Sequence, residues 1–305
     1  VCACEPGTLS LTRRFDRAQT ACNMLRGNYA KHVMVFSEAL HQRQLYHESL
    51  INDLNRAVEE KQLLVYFQPK YDIRQEPPVL SSAEALVRWN HPEYGMVSPG
   101  DFIPLFESNG MIQIVDHYVW ETTAAQIRYW KDTYGYAIPV SVNLSRIDMY
   151  DSELERKFLD LLARYNLTTA DIMLEVTESA YTDDAGQLIN TVNSLRSLGF
   201  RVEMDDFGSG YSSLNMLASL PIDVLKMDMK FVRNMDKGEH NKAIIELIID
   251  IAKKLGKTSV SEGVETEAEY LYLKQIGCDV IQGYYFSRPL PEKDFLELIK
   301  KGYKV

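Results

Sequence analysis

The sequence predicts an α/β fold: a modified (β/α)8 barrel whose first strand runs against the others, preceded by a short αβ segment and a linker helix. Three observations carry this. Eight apolar, strand-like runs alternate with helical patterns over about 240 residues. Polar residues enter at the end of nearly every run, where a barrel of this type gathers its chemistry. Only seven residues, Ile73 to Val79, separate the first two runs, and they include Pro77 and Pro78. A parallel crossover needs a dozen or more residues, so the first strand must run antiparallel.

The elements follow in order. Residues 1–40 stand apart from the rest. A β-prone stretch, Val1 to Cys4, leads through Pro6 and Gly7 to a helical segment, Ser10 to Leu25, and a second apolar run follows at His32 to Phe36. One helix between two strands is too little to bury its own core, so this is an appendage or the tail of a missing domain. A charged stretch over 38–61, with Leu50, Leu54 and Val58 on one face, reads as a linker helix. The expected division is therefore 1–40, 41–61 and 62–305.

Barrel strands are expected at 63–72, 80–89, 139–145, 171–179, 201–208, 224–231, 258–265 and 279–287. Helices are expected at 117–134, 153–165, 184–198, 212–219, 240–255, 266–276 and 291–301. Gly199, Gly256 and Gly277 sit where helices end, and Ser152 with Glu155 and Thr266 with Glu269 match capping boxes.

Composition narrows the function. With 33 basic and 43 acidic residues the net charge is −10, which disfavours a nucleic-acid polymer or an anionic membrane as partner. Cys2, Cys4, Cys22 and Cys278 form no zinc pattern and read as free thiols of a reducing, cytoplasmic compartment. The most apolar helix, residues 243–255, is interrupted by Glu246, Asp250, Lys253 and Lys254 and falls short of a ~18-residue span. No leader peptide is visible. The chain opens on Val1 rather than Met and reads as a cut-out of something longer.

The chemistry lies at the strand ends. In order they carry Glu84 to Trp89, Asn143 to Ser145, Glu175 to Glu178, Glu203 to Gly208, Lys226 to Asp228, Glu262 to Glu265, and Gln282 to Tyr285. Alternation along a strand makes Glu84, Arg88, Asn143, Glu175, Asp205, Lys226 and Glu262 the inward candidates. Nine carboxylates stand in these runs (Glu84, Glu175, Glu178, Glu203, Asp205, Asp206, Asp228, Glu262, Glu265), opposed by Arg88 and Lys226. Crowded carboxylates cannot all stay ionised unaided, so either several are protonated or divalent cations sit among them. An all-oxygen set with an Asn143 amide suits Mg²⁺ or Mn²⁺ rather than zinc. The pair Asp205-Asp206 could serve two ions, the arrangement for in-line phosphoester displacement. The loop Gly208-Ser209-Gly210 could cover a ligand. Asp183-Asp184 reads as a helix N-terminal charge pair, and the six histidines form no catalytic or metal spacing.

The strand-end series resembles the EAL domain, the bacterial phosphodiesterase that hydrolyses cyclic di-GMP to linear pGpG. The residues that carry the resemblance are Glu84-Ala85-Leu86 within Glu84 to Trp89, Gln68-Pro69, Pro99 to Ile103, Asn143 to Ser145, Glu175 to Glu178, Asp205 to Gly210, Lys226 to Asp228, Glu262 to Thr266 and Gln282 to Tyr284. It covers about residues 60–300, and the family shares the antiparallel first strand. It implies that Glu84, Asn143, Glu175 and Asp205 hold one Mg²⁺ or Mn²⁺, with Asp205 bridging to a second on Asp206. It further implies that Lys226 positions or deprotonates the attacking water, supported by Glu262. Glu178 would anchor the loop from Asp206, and Asp228, Glu265 and Gln282 would support the ligands. Arg88 would meet a substrate phosphate, with Gln68 and Gln282 near the nucleotide. A homodimer through the barrel is a further expectation.

Departures are mild: Ser209 for threonine, Ser261 for alanine, and an unusual Glu203. No expected ligand is lost. Residues 1–40 resemble, more weakly, the end of a GGDEF (diguanylate cyclase) domain, through Arg17-Ala18 and Ala21 and the run ending at Phe36. The competing readings are a catalytically silent EAL domain that only binds cyclic di-GMP, and a Mg²⁺-dependent barrel enzyme with enediolate chemistry. Silent relatives usually lose the motif glutamate, an aspartate of the pair or the lysine, and this chain keeps all three.

Overall fold

Strand β1 (Leu63–Asp72) and strand β2 (Val79–His91) form a long antiparallel hairpin, in register from Leu63 against Trp89 to Asp72 against Val79. The computed structural model describes residues 10–23, 33, 35–135, 137–181, 185–208, 220–235 and 238–300. After β2 come β3 (Gly95–Val97), α3 (Pro99–Asn109), α4 (Ile112–Tyr134), β4 (Val140–Leu144), α5 (Arg146–Met149), α6 (Leu154–Tyr165) and β5 (Ile172–Thr177). Then follow α7 (Ala185–Ser197), β6 (Arg201–Phe207), β7 (Val224–Met227), α8 (Met229–Arg233), α9 (Glu239–Lys254), β8 (Thr258–Glu262), α10 (Glu267–Ile276), β9 (Val280–Gln282), β10 (Leu290–Pro291) and α11 (Glu292–Lys300).

The barrel closes as β1-β2-β4-β5-β6-β7-β8-β9 and back to β1. All neighbouring pairs from β2 round to β9 are parallel, while β1 is antiparallel to both β2 and β9. The short connection, residues 73–78, dictates this outcome, because no crossover helix fits in it. Closure leaves the barrel no open edge within the ring. Its outer face meets the helices through large apolar side chains. Phe67 of β1, Trp130 of α4 and Phe295 of α11 meet with ring centroids 5.1 to 5.5 Å apart.

Several expectations need correction. An element outside the expected set is α3, with Pro99 in its first turn, where a missing N–H costs nothing, and Gly110 as its left-handed cap. Helix α4 begins five residues earlier than expected. The strand expected over 224–231 stops at Met227. Asp228 then caps α8, its carboxylate accepting from Lys230 N at 2.8 Å. The strand expected over 279–287 stops at Gln282. There a Cβ on Gly283 would lie 2.1 Å from the Val264 carbonyl oxygen, so two backbones touch where a ladder would otherwise continue. Thr266 and Glu269 form the expected capping box, but Ser152 and Glu155 do not. The box at that side of the barrel belongs to Ser145 and Asp148.

The chain divides into two units, Val1–Ala57 and Val58–Val305. In the first, α1 (Leu11–Asn23) starts after Ser10, whose hydroxyl accepts from Arg13 N at 3.4 Å, and α2 (Glu38–Glu59) after Ser37, which accepts from Leu40 N at 3.1 Å. Of the strand expected at His32 to Phe36, the described residues 33, 35 and 36 carry no regular structure. The strand expected at Val1 to Cys4, the helix at 212–219 and the Asp183-Asp184 pair lie outside the described residues, as do Ser209 and Gly210. Among the described residues no helix is long and apolar enough to cross a membrane.

Candidate active site

The parallel ladders set the heights of the site residues. Along the ladders Asn143 of β4 pairs in register with Glu175 of β5, and Glu175 with Glu203 of β6, while the stagger of the ring sets Glu203 deeper. On the far side Glu262 of β8 is level with Gln282 of β9, and Gln68 of β1 lies opposite Glu84 of β2. The parallel strands end at one rim, and β1, running against them, begins there, so side chains distant in sequence converge by barrel closure alone.

Lys226 of β7 is the centre. It is fully buried, and its ammonium lies 2.6 Å from Glu262, 3.1 Å from Asp205 and 3.2 Å from Glu84, with Glu175 hydrogen-bonded to it as well. Burial alone would depress the lysine. The four carboxylates outweigh it and hold Lys226 well above its ordinary pKa. The carboxylates respond in two ways. Asp205, against the cost of its burial, is held below the usual range by Lys226. Burial pushes Glu262 up to about 8, and burial together with Glu84 pushes Glu175 upward.

Asp205 and Asp206 are adjacent in β6 and would ordinarily point to opposite faces. The β6–β7 register breaks between Met204 and Phe207, and Asp206 takes a left-handed φ of 54°. This irregularity turns both carboxylates to the mouth, Asp206 the more exposed. Burial, then Asp205 and Asp228, raise the Asp206 pKa.

The donor set fits divalent cations. Glu84, Glu175 and Glu262 offer oxygens within 4.8 Å of one another, and so do Asp205, Asp206 and Glu262. One ammonium, that of Lys226, faces four carboxylates, so negative charge at the mouth exceeds positive. Such an excess of hard oxygen donors, with no nitrogen or sulfur among them, suits a hard divalent cation. The resemblance names Asp205 as the bridging residue. By proximity, the carboxylate common to both groups is Glu262.

The remaining expected residues take distinct places. Gln282 is buried and donates from Nε2 to Glu84 at 2.6 Å and to Gln68 at 3.2 Å, which fixes the Glu84 carboxylate and ties Gln68 to the same network. Glu178, in the turn after β5 and 1% exposed, accepts from the Gly208 amide at 2.7 Å. Arg88 lines a cavity of about 680 Å³ beside Asn143, Asp205 and Asp206, with Leu86, Ile103, Ile112, Val115 and Ile147 as apolar walls. Its guanidinium donates to the Val87 carbonyl and lies 5.6 Å from the Tyr66 ring. Asp228 is occupied with capping α8. Glu265 lies at the surface, 3.5 Å from Arg233.

One buried cation escaped the sequence reading. Lys70 of β1, 1% exposed, lies 2.5 Å from Glu203 and 2.9 Å from the Ser141 hydroxyl. The unusual Glu203 therefore has its own counter-ion. The signal was a lysine between Pro69 and Tyr71 on β1 and a glutamate between Val202 and Met204 on β6.

Compared with known families, the chain matches the EAL domain over residues 51–289. It is 35% identical over 247 residues to the bifunctional diguanylate cyclase/cyclic di-GMP phosphodiesterase MucR of Pseudomonas aeruginosa, covering 81% of this chain and 36% of MucR. It is 33% identical over 296 residues to the cyclic di-GMP phosphodiesterase PdeR of Escherichia coli, covering 97% of this chain and 44% of PdeR. The chain thus spans less than half the length of either relative. A solved structure described as PaMucR phosphodiesterase in complex with c-di-GMP superposes with a TM-score of 0.76 at 34% identity, covering 81% of this chain and 99% of that one. Barrel topology, strand-end carboxylates and this likeness agree: the chain belongs to the EAL-domain family.

Proposed function

We propose that this chain hydrolyses cyclic di-GMP to linear 5'-pGpG by in-line attack of water on one phosphodiester. Two Mg²⁺ or Mn²⁺ ions would be held by Glu84, Asn143, Glu175, Asp205, Asp206 and Glu262. The observation that carries the reading is the convergence of four carboxylates on Lys226 beside a cavity that also presents Asn143, Asp206 and Arg88. Relatives named for this activity support the substrate. When bound, the ions would polarise the phosphate and lower the pKa of water.

The chain's own groups divide the remaining work. Lys226, held protonated by its carboxylates, donates hydrogen bonds to the attacking water and to developing negative charge rather than taking a proton. Arg88 donates to a phosphate oxygen, its guanidinium already steadied by the Val87 carbonyl and Tyr66. Gln282 locks Glu84, and Glu178 fixes the start of the loop after Asp206 by holding the Gly208 amide. The apolar cavity walls offer flat contact to purine rings. Pairing of two copies through the barrel, and further domains upstream, belong to the same proposal.

Product analysis tests it. Cyclic di-GMP is incubated with the protein and Mn²⁺, alongside Glu84→Ala and a chelator control. Linear pGpG formed only with metal and Glu84 is the expected result. Intact cyclic di-GMP that is bound but not cleaved would point to a receptor, and no binding would end both readings.

A further inference from the structure

Beneath the carboxylate ring lies a second polar layer. Lys70 Nζ is 2.5 Å from Glu203 Oε2 and 2.9 Å from Ser141 Oγ, and the Ser141 hydroxyl donates to the same glutamate oxygen at 2.8 Å. All three are buried, with 1%, 2% and 0% exposure for Lys70, Glu203 and Ser141. Ser141 and Glu203 stand two residues before Asn143 and Asp205 on the same strand faces, one step deeper in the barrel. The two layers meet at Glu175. Its Oε2 is 3.5 Å from Lys70 Nζ, while its Oε1 is bonded to Lys226.

We propose that Lys70 is a positioning residue for the cation site, pinning the inner oxygen of Glu175 so that the outer one faces the ring. A lone buried glutamate in a strand can turn about its side-chain torsions. One with an ammonium on each oxygen is fixed. Glu203 and Ser141 hold Lys70 in turn, and this explains why an acidic residue stands so deep on β6: it balances the lysine and keeps the inner layer neutral. Partners that orient a ligand from behind typically set metal affinity by ten- to a hundredfold.

The inference rests on the reading of the carboxylate ring as a divalent-cation site, and Mn²⁺ binding by calorimetry, without nucleotide, tests both. The variant is Lys70→Met with Glu203→Leu, which removes one charge of each sign from a buried pair and is therefore well tolerated in most folds. Lys70→Met with Glu203→Gln is the second variant, which keeps a hydrogen-bonding partner for Ser141 if the first does not fold. Both are expected to show a native melting transition and Mn²⁺ affinity weakened about tenfold or more. Folded variants that bind Mn²⁺ as tightly as the parent would show that Lys70 and Glu203 only fill the barrel, and would overturn the inference. A parent protein that binds no Mn²⁺ would instead overturn the cation site itself.

Discussion

The Lys226 ammonium stands 2.6 Å from Glu262 Oε1, yet the Glu262 carboxyl is pushed up to about 8. Burial, helped by Asp205 and Glu84, outweighs the attraction of the neighbouring lysine, because one cation is shared among four carboxylates. The site is therefore charge-frustrated until more positive charge arrives.

Divalent cation binding should release protons. Below about pH 8 Glu262 must lose its proton to become a ligand. Mn²⁺ affinity is expected to rise about tenfold per pH unit for each proton released, and to level off above about 8. Calorimetry in buffers of different ionisation enthalpy measures the proton count. Glu262→Gln should lower that count, and an unchanged count would show that Glu262 is not the group displaced.

The same shift predicts how metal-free stability depends on pH. A carboxyl whose folded pKa lies above its unfolded value binds a proton that the unfolded chain has already lost. Its contribution makes the protein less stable as pH rises from about 4.5 to about 8. Melting temperatures taken across that window should fall more for the parent than for Glu262→Gln.

Lys226→Met should abolish hydrolysis while leaving metal and substrate binding. Loss of a positioned hydrogen-bond donor to developing charge costs roughly a hundredfold or more in turnover. Mn²⁺ affinity should hold or improve, because a competing cation leaves the ring. Turnover within a few-fold of the parent would remove Lys226 from the reaction.

Gln282→Leu frees Glu84 from its 2.6 Å hydrogen bond. A ten- to hundredfold loss of Mn²⁺ affinity is expected, with little change in fold, since the substitution is close in volume. Equal affinity would mean that Gln282 acts elsewhere.

Glu178→Ala strips the Gly208 amide of its acceptor. Gly208 has φ +90°, and a Cβ there would lie 2.6 Å from the Phe231 ring, so glycine itself is required and cannot be traded for stiffness. An unmatched amide costs about 1–3 kcal/mol, seen as several degrees in melting temperature, and turnover should fall at least tenfold. Glu178→Gln, which can still accept that bond, should recover most of both losses.

Much of this was legible in the chain itself. The short link after β1 dictated an antiparallel first strand, because chain length limits what can cross a sheet. The alternation of apolar runs and helical patterns located the barrel, although α3 was not among the expected helices. Strand ends at Met227 and Gln282 were misplaced because apolar residues run on past them, whereas Asp228 capping and the contact of Gly283 with Val264 end the ladders.

What the sequence determined by itself was which strand ends carry carboxylates, amides and a lysine, since alternation and periodicity are local properties. The tertiary structure alone decided which oxygens share a space. Register and barrel closure put Glu262 into both carboxylate groups and Gln282 onto Glu84, and they set Lys70 between Glu203 and Glu175. A broken β6–β7 register turned Asp205 and Asp206 the same way. Convergence of that kind depends on strand tilt, stagger and closure around the ring, which no local pattern encodes.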